Sequence, residues 1–404
     1  MPFIMITVLL DMMSIGIIAP VLPKLIGTFM DSGSGTSMGY GMAQAAFAIA
    51  QFFSAPILGG LSDKYGRRPV LLLGLLGMAV NFFVTALATE FWMLIAVRIM
   101  GGTVCANIAV ANAYVADITQ PQDRAKNYGL LGAMFGVGFI LGPVTGGLLG
   151  DMNIHWPFFL AGSLCLLNCV YGYFVLPESL PQERRRQFHV ARANPFAALA
   201  RLRSLQGVET LMWIMGLSIL AQFCLHTSWF LYTEFKFGWS PRDNGLSLFA
   251  VGMMAVLVQG GLLRQVQKRM PLHNIVRIGL VSSTIAFFAW GAVPEGWMMY
   301  VVIVANVFGY MVQPGLQSVV SNAVDPSRQG ESMGAVSSIN SVAAVVGPLL
   351  GTPLLATVSH YPQGDWHLGA PFYLCAAIQA VAAFIGLRYF ARHRHEAQPQ
   401  RVST

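Results

Sequence analysis

The sequence predicts an all-α polytopic membrane protein with twelve transmembrane helices in two six-helix bundles. This prediction depends on the composition, on the recurrence of long apolar runs and on an internal repeat. Of the 404 residues, 55% are hydrophobic and only 10% are charged, whereas soluble domains contain about 25% charged residues. Apolar runs of about 18 residues or more recur along the chain, and each is long enough to cross a bilayer as a helix.

The apolar runs divide the chain into twelve predicted spans and one central polar segment. The spans cover residues 3–25, 38–60, 69–89, 91–114, 127–150, 155–176, 208–232, 244–263, 272–292, 297–320, 332–356 and 368–390. The polar segment between the sixth and seventh spans is rich in arginine and is typical of a linker. We therefore predict an N-terminal bundle over residues 1–176, a cytoplasmic linker over 177–207, a C-terminal bundle over 208–391 and a cytoplasmic tail over 392–404.

The positions of the cations predict the orientation of these spans. The formal net charge is +7, and the excess lies mainly in the loops after even-numbered spans, in the linker and in the tail. The opposite loops contain only Lys24, Lys236 and Arg242. Because lysine and arginine are retained on the cytoplasmic side of a membrane, both termini are predicted to be cytoplasmic. The positive charge therefore does not indicate a nucleic-acid partner.

The sequence contains no pattern typical of an enzyme or a metal site. The five cysteines lie inside apolar runs without metal-ligand spacing. No nucleophile–base pair or phosphate-binding loop occurs at a useful spacing. Residues 1–25 have no basic segment before the apolar run, so we interpret them as the first span rather than as a cleaved signal peptide. We expect no enzymatic activity, no metal and no cofactor.

The two halves of the chain share several motifs. Trp-Pro-Phe-Phe-Leu at residues 156–160 corresponds to Ala-Pro-Phe-Tyr-Leu at residues 370–374, and Gly142-Pro143 corresponds to Gly347-Pro348. Both halves have six predicted spans with the same sidedness, so the repeat is parallel. Two such halves with a substrate site between them are the arrangement of major facilitator transporters.

Residues 59–69 form a charged segment between the second and third predicted spans. The segment reads Gly-Gly-Leu-Ser-Asp-Lys-Tyr-Gly-Arg-Arg-Pro, and we expect a short charged hinge. Asp63 and Arg67 are four residues apart, so they can pair with each other or with neighbouring helices. The alternative for the basic residues is a solvated loop whose cations only fix the orientation.

This segment closely resembles the signature between spans two and three of the major facilitator superfamily. The resemblance implies a latch that stabilises the outward-open or the inward-open state. In such a latch Asp63 would face the helix N-terminus of span eleven, and Arg67 would meet Asp117 at the end of span four. Gly59 and Arg68 belong to the same signature. The corresponding segment of the second half, residues 262–269, has no acid, so we expect one latch of this kind.

The fifth predicted span contains a glycine at every fourth position. These glycines are Gly138, Gly142, Gly146 and Gly150. They share one helix face, which allows close contact with a neighbouring backbone, and Pro143 is expected to bend the helix. Tight packing alone would explain this pattern. The motif Gly142-Pro143-x-x-Gly146-Gly147 also resembles the span-five signature of the exporter branch of the superfamily, and the resemblance implies antiport.

Asp11 and Arg98 are charged residues within the first and fourth predicted spans. A charge near the membrane centre costs about 3 kcal/mol or more unless it is paired or solvated. Burial favours the neutral carboxylic acid and a nearby cation favours the carboxylate, so such a group can exchange a proton when its surroundings change. We therefore interpret Asp11, together with Arg98, as the leading candidate for proton coupling or for contact with a cationic substrate. The alternative is a structural contact of Asp11 with Arg98 or with the backbone.

Six polar residues within the spans are candidates for substrate binding. They are Gln51, Asn81, Gln222, His226, Gln259 and Gln313. Each alone is more often explained by a hydrogen bond between helices than by a ligand, and neutral packing is the simpler interpretation of His226. Together with aromatic residues such as Trp229 and Tyr310, they could line a cavity for a bulky amphipathic compound.

Several segments extend the resemblance to a narrower family. They are residues 9–16 around Asp11, residues 59–69, Arg98-x-x-Gly101-Gly102, the span-five glycines, and residues 230–239 and 294–297. These segments resemble the tetracycline/proton antiporters of bacterial inner membranes over nearly the whole chain. Those antiporters typically have further acids in spans three and nine and a histidine in span eight, where this chain has Asn81, Ser283 and Ala255.

The resemblance implies proton-coupled efflux of a tetracycline-like or other amphipathic drug by alternating access. The expected partners are the small-molecule drug, protons and the lipid membrane, and the protein is expected to act as a monomer in the bacterial inner (plasma) membrane. Two alternatives are a major facilitator carrier for uptake or exchange of a small metabolite, and a non-transporting membrane receptor or scaffold. The latter would use the arginine-rich linker as a docking surface.

Overall fold

A computed structural model describes residues 2–30, 32–105, 107–120, 123–185, 208–324 and 329–392. These residues form α-helices joined by short turns, and none of them is in a strand. The first helices are α1 (Pro2–Ile18), α2 (Leu22–Gly27), α3 (Gly33–Tyr65), α4 (Arg67–Ala86), α5 (Phe91–Val104), α6 (Asn107–Ile118), α7 (Arg124–Met152) and α8 (Trp156–Val175). The later helices are α9 (Glu209–Phe237), α10 (Pro241–Leu257), α11 (Leu263–Arg269), α12 (Leu272–Ala292), α13 (Gly296–Ala305), α14 (Val312–Ala323), α15 (Gln329–Val358) and α16 (Ala370–Arg392).

The helices correspond to the predicted spans. By length and composition, 10 helical segments of the described chain can cross a membrane, and the bent pair α13 and α14 gives an eleventh if it is one span. The shorter apolar helix α1 covers the first part of the first predicted span. The prediction of an all-α polytopic membrane fold is therefore confirmed, and the number of twelve spans is approximate.

Contacts between residues divide the chain into two compact units. The first comprises Met1–Pro195, Trp229–Gly252 and Leu355–Gln363, and the second comprises Phe196–Ser228, Met253–Leu354 and Gly364–Thr404. Residues 186–207 of the predicted linker and 393–404 of the predicted tail lie outside the described residues. The division into two six-helix bundles at the boundaries given above stays a prediction.

In the first unit, α1 packs along α7 and α8, while α4 packs on α8 and α3 packs on α5. A core of buried apolar side chains joins α1 to the start of α4, to α6 and to α7; Met12, Tyr114 and Leu131 are among its members. Helices in a lipid bilayer gain little by removing apolar side chains from water, so van der Waals packing holds them together. The position of α1 therefore depends on how closely its neighbours approach it.

The glycine face of α7 provides this close approach. A Cβ added to Gly138 would lie 2.7 Å from the carbonyl oxygen of Leu9, and one added to Gly142 would lie 2.7 Å from that of Met13. A Cβ on Gly146 would overlap the carbonyl oxygen of Ile17. The backbones of α1 and α7 are therefore in contact over several turns, because α7 has glycine at these three positions.

A different face of α7 contacts the start of α10, within the same unit. A Cβ added to Gly147 would lie 2.5 Å from the carbonyl oxygen of Pro241. A Cβ on Gly245 would overlap the carbonyl oxygen of Pro143. The motif that begins with Gly142-Pro143 thus packs against two helices. Gly142 and Gly146 face α1, Gly147 faces α10, and Pro143 lies between them, with its ring beside Gly16 of α1 and its carbonyl group beside Gly245 of α10.

The second unit packs α12 against α16 and α14. Its core combines buried side chains from the first part of α9 with others from α12, α14, α15 and α16; Ile214, Leu280 and Leu316 are examples. Before α11, a π-helical turn at Val258–Leu262 continues the helix, so residues 262–269, the counterpart of the charged segment 59–69, are helical. A single π-helical turn within an α-helix is frequently found at functional sites.

The first predicted span was wrong in its second part. The sequence predicted one helix over residues 3–25, but α1 ends at Ile18 and a short helix, α2, begins at Leu22. Pro20 lies in the break, since proline has no N–H group to continue a helix. Pro23 lies in the first turn of α2, where the missing N–H group is tolerated.

We expect Gly146→Ala to destabilise the protein. The added Cβ would overlap the Ile17 carbonyl oxygen, and overpacking typically costs about 1–3 kcal/mol. The purified variant in detergent should therefore unfold at a temperature a few degrees below that of the parent. Gly136→Ala is the matched control in the same helix, because a Cβ at Gly136 would meet nothing within 4 Å. Equal unfolding temperatures for both variants would contradict the close contact between α1 and α7.

Candidate functional site

The charged segment over residues 59–69 is a helical corner and not a loop. α3 continues to Tyr65 and α4 begins at Arg67, so a single residue, Gly66, separates the two helices. Gly66 has φ 107°, a conformation that glycine adopts far more readily than other residues. A Cβ at this position would also overlap the carboxylate of Glu178. The expected hinge is therefore a one-residue break, which forms because only glycine fits both the backbone angle and the space.

Glu178 caps the N-terminus of α4. Its Oε1 accepts a hydrogen bond from the backbone N–H of Arg67 at 2.8 Å, and its Oε2 accepts one from the backbone N–H of Arg68 at 3.3 Å. The first N–H groups of a helix have no partner within the helix, and its N-terminus favours negative charge. The backbone N–H of Leu180 also donates to Oε1, at 3.0 Å. Glu178 therefore ties the segment after α8 to the corner between α3 and α4.

Arg67 connects the corner to the end of α6. Its Nη1 lies 2.6 Å from Asp63 Oδ1, and its Nε lies 3.1 Å from Asp117 Oδ2. Nη1 also donates to the hydroxyl of Ser62 at 2.6 Å, and Ser179 Oγ donates to Asp117 at 3.3 Å. The contact between Arg67 and Asp117 that the resemblance implied is present. The contact of Asp63 with span eleven stays a prediction.

Arg68 and Gly59 differ in their roles at this corner. The guanidinium of Arg68 donates to the carbonyl oxygen of Tyr173 at the end of α8 and lies 5.5 Å from the centre of the Tyr173 ring. Gly59 lies within α3, and a Cβ there would meet nothing within 4 Å. Arg68 therefore contributes a further link to α8, while Gly59 has no close contact that requires glycine.

Asp11 lies in the middle of α1 and is only 3% exposed. The next residue, Met12, belongs to the core of the first unit, and the preceding turn includes Leu9, which contacts Gly138. Backbone contacts with α7 therefore fix the turn of α1 that contains this acid. The role of Asp11 in proton coupling, with or without Arg98, stays a prediction.

Arg98 and Asn81 form a second buried polar region of the first unit. Arg98 is 3% exposed and its guanidinium lies 6.0 Å from the centre of the Phe47 ring. Its Nε and Nη2 atoms, and both side-chain amide atoms of Asn81, have no hydrogen-bond partner among the described residues. A Cβ at Gly101, one turn after Arg98, would lie 2.6 Å from Asn81 Oδ1. Gly101 thus leaves room for the Asn81 side chain beside the helix that contains Arg98.

Gln51 of α3 contacts the end of α5, the helix that contains Arg98. Its Nε2 donates to the carbonyl oxygen of Cys105 at 3.2 Å, where α5 ends. A Cβ at Gly102 would overlap the carbonyl oxygen of Phe47, so α3 and α5 approach closely beside these polar groups. The structure thus places Gln51, Asn81 and Arg98 on three helices that pack together, α3, α4 and α5.

The other four substrate candidates have different surroundings in the second unit. Gln222 Nε2 lies 2.8 Å from His226 Nε2, one turn later in α9, and His226 is exposed. Gln259 is exposed in the π-helical turn, and Gln313 is exposed near the start of α14. Gln222 and His226 are joined by a direct hydrogen bond, and substrate binding by all six residues stays a prediction.

Sequence reasoning missed two residues of the corner, Gly66 and Glu178. The sequence contains a signal for Gly66, since a glycine between two helical segments is a frequent break. No local signal identifies Glu178, because the backbone N–H groups that it binds lie 111 and 110 residues away. Such a partnership becomes visible only when the end of α8 and the start of α4 are placed together.

The chain is similar to known transporters along its length. Residues 4–348 and 273–403 match the family model of the Major Facilitator Superfamily. The chain is 36% identical over 369 residues to the class C tetracycline resistance protein of Escherichia coli, covering 91% of this chain and 93% of that protein. It is 31% identical over 359 residues to multidrug resistance protein 2 of Bacillus subtilis (strain 168), covering 87% of each. The crystal structure of the human organic anion transporter MFSD10 (TETRAN) has a similar fold, with a TM-score of 0.70 at 23% identity, over 95% of this chain and 98% of that one.

We expect Glu178→Ala to destabilise the corner between α3 and α4. The change removes the acceptor for three backbone N–H groups, and a hydrogen bond to a charged group contributes about 1.5–3 kcal/mol. The variant should unfold at a lower temperature than the parent in detergent. Glu183→Ala is the matched control, because Glu183 is exposed in the short helical turn Gln182–Arg184 and has none of these contacts. If Glu178→Ala unfolds at the same temperature as Glu183→Ala, the cap does not stabilise the corner.

Proposed function

Because the chain belongs to the major facilitator superfamily, and is thus a membrane transporter rather than an enzyme, we propose that it exports a tetracycline-like or other amphipathic compound in exchange for protons. Transport would proceed by alternating access of one site to the two sides of the membrane. The tetracycline and multidrug resistance proteins to which the chain is similar support the choice of substrate class. The span-five motif of Gly142, Pro143, Gly146 and Gly147 supports export rather than uptake.

The observation that supports this proposal most directly is the burial of Asp11 within an apolar helix. A buried carboxylic acid is stable in its neutral form, and it loses its proton when water or a cation reaches it. A proton that enters from outside would neutralise Asp11 and favour release of the substrate outward. Loss of that proton to the inside would restore the charge and prepare the site for the next molecule.

The polar region around Arg98 supports a site for the transported compound. Arg98 and Asn81 have donors that no described residue accepts, and an unpaired charge at membrane depth is costly. A substrate with oxygen acceptors, or water when the substrate is absent, would satisfy these donors. Gln51 would add a polar contact, and Phe47 would provide an aromatic surface for the apolar part of the compound. Asp11, which lies on α1, would couple proton binding to binding of the compound at this site.

The corner around Arg67 would act as the latch of the transport cycle. Its ion pairs join α3, α4 and α6, and Glu178 joins them to the segment after α8. In the predicted orientation this corner faces the cytoplasm. If these contacts separate in either the outward-open or the inward-open state, the other state is stabilised. Each ion pair at such a partly exposed site would contribute about 1 kcal/mol or less to that difference. The protein would act as a monomer in the bacterial inner membrane, with both termini in the cytoplasm.

We expect Asp11→Asn to abolish transport driven by a pH gradient. Asparagine is close in shape to aspartate but cannot exchange a proton, so imposing the gradient should no longer accelerate substrate movement. The measurement is tetracycline transport in proteoliposomes with and without an imposed pH gradient. Asp151→Asn is the control, because Asp151 is exposed near the end of α7 and should leave the response unchanged. If Asp11→Asn responds to the gradient like the parent, Asp11 is not the coupling residue.

We expect cells that produce this protein to become less susceptible to tetracycline-like or other amphipathic drugs. Export lowers the internal drug concentration, whereas an uptake carrier would raise it and a receptor would leave it unchanged. A drug-susceptibility panel of cells with and without the protein, combined with measured drug accumulation, separates these functions. Equal susceptibility and accumulation for every drug in the panel would contradict drug export.

A further inference from the structure

A cavity of about 680 Å³ lies on the second unit beside the bend between α13 and α14. It is lined by α12, by the end of α13 and by Leu387 of α16. The axes of the two helical segments on either side of the break, Gly296–Ala305 and Gly309–Ala323, differ by 52°. Asn306 and Phe308, which lie in the break, also line the cavity. The cavity thus lies along α12, beside the bend in a membrane helix.

Most of the cavity wall is apolar and faces outward. Ile285 is 64% exposed and Val301 is 53% exposed, and Ile278 and Val281 are exposed as well. All four line the cavity. Because α12 and the bent pair have the length and composition of membrane spans, exposed apolar side chains on them contact lipid chains rather than water. The cavity is therefore open to the hydrocarbon region of the bilayer.

One end of the cavity is cationic. Arg277 lines it, and its Nε atom is buried with no hydrogen-bond partner among the described residues. Its Nη1 atom lies 3.5 Å from Asn274 Oδ1, at the long limit for a hydrogen bond. The guanidinium therefore has donors available for an acceptor in the cavity. None of the described residues that line the cavity has a carboxylate side chain.

Further cations surround the same end. Met270 lines the cavity, and the two residues before it, Lys268 and Arg269, are exposed. Arg388 follows the lining residue Leu387 and is also exposed, with its guanidinium 4.3 Å from the centre of the Phe384 ring. An apolar cavity that ends at a partly buried arginine and an exposed cationic rim is complementary to a phospholipid with an anionic headgroup. Basic pockets between membrane helices bind such headgroups.

We propose that this cavity binds an anionic phospholipid. The headgroup phosphate would accept hydrogen bonds from Arg277 and interact with the rim formed by Lys268, Arg269 and Arg388. One acyl chain would lie along Val281, Ile285 and Val301, beside the bend. In the predicted orientation the rim lies at the cytoplasmic side, so the lipid would come from the cytoplasmic leaflet. The site is distinct from Asp11 and from the polar region around Arg98, which belong to the first unit.

Native mass spectrometry of the full-length protein with added lipid tests this proposal. The probes are phosphatidylglycerol and phosphatidylcholine, which have similar chains and differ in headgroup charge. We expect preferential retention of phosphatidylglycerol by the parent. Arg277→Gln should weaken that retention by about fivefold, since one cation near a lipid surface contributes about 1 kcal/mol. Arg264→Gln is the matched control, because Arg264 is exposed in α11 and does not line the cavity.

A second pair of variants tests the apolar part independently of charge. Ala305→Trp places a large side chain in the cavity, whereas Val304→Trp places it on the neighbouring exposed position, which does not line the cavity. We expect only Ala305→Trp to reduce retention of phosphatidylglycerol, with both variants eluting as folded monodisperse protein.

Four results would overturn the proposal. They are equal retention of the two lipids by the parent, retention by Arg277→Gln and Ala305→Trp at the parent level, and an equal loss in Arg264→Gln and Arg277→Gln, which would indicate diffuse surface charge. The fourth is a change from dimer to monomer in Ala305→Trp with lipid retention unchanged, which would indicate that the cavity is an interface between copies of the chain.

Discussion

The contact between the backbones of α1 and α7 determines the arrangement of the first unit. Helices in a bilayer are held by packing, and glycine allows the shortest distance between two helix axes. Gly138, Gly142 and Gly146 each meet a carbonyl oxygen of α1, so α1 has little freedom to shift or rotate against α7. Since Asp11 lies within this stretch, the glycines of α7 fix the backbone of α1 that positions this acid. A larger residue on that face would move the acid as well as the helix.

The corner around Gly66 shows a second constraint, which arises from unsatisfied backbone groups. A sharp break between two long helices leaves the first N–H groups of α4 without partners, and a buried N–H group without a partner is costly. The carboxylate of Glu178 accepts hydrogen bonds from two of them, the backbone N–H groups of Arg67 and Arg68. The absence of a side chain at Gly66 provides the space for that carboxylate. The charged groups of this corner thus stabilise the break between α3 and α4, in addition to the latch that we propose.

The residues alone predicted the features that depend on local pattern. Among contacts between distant segments, that of Arg67 with Asp117 was expected from the family resemblance, and the contacts of Glu178 were missed. Long apolar runs identified the spans, and the spacing of Gly138, Gly142 and Gly146 identified their common face, because helical periodicity alone determines both. The sequence predicted a continuous span where the chain breaks after Ile18, and a charged hinge over residues 59–69 without its single-residue break at Gly66, since neighbouring helices decide such details. The partnership of Glu178 with α4 has no local signal. For the substrate candidates, residue type showed polarity within a span but not which groups lack a partner.

Buried donors without acceptors distinguish two kinds of site in this protein. Arg98 and Asn81 are enclosed by α3, α4 and α5, so any acceptor that satisfies them must enter the interior of the first unit, as water or a transported compound can. Arg277 has a similar unsatisfied nitrogen, but the cavity beside it is lined by side chains that face lipid. An acceptor from the bilayer is the one that we propose for it. The surroundings of each arginine, rather than its charge, separate a group suited to transport from a group suited to binding a lipid.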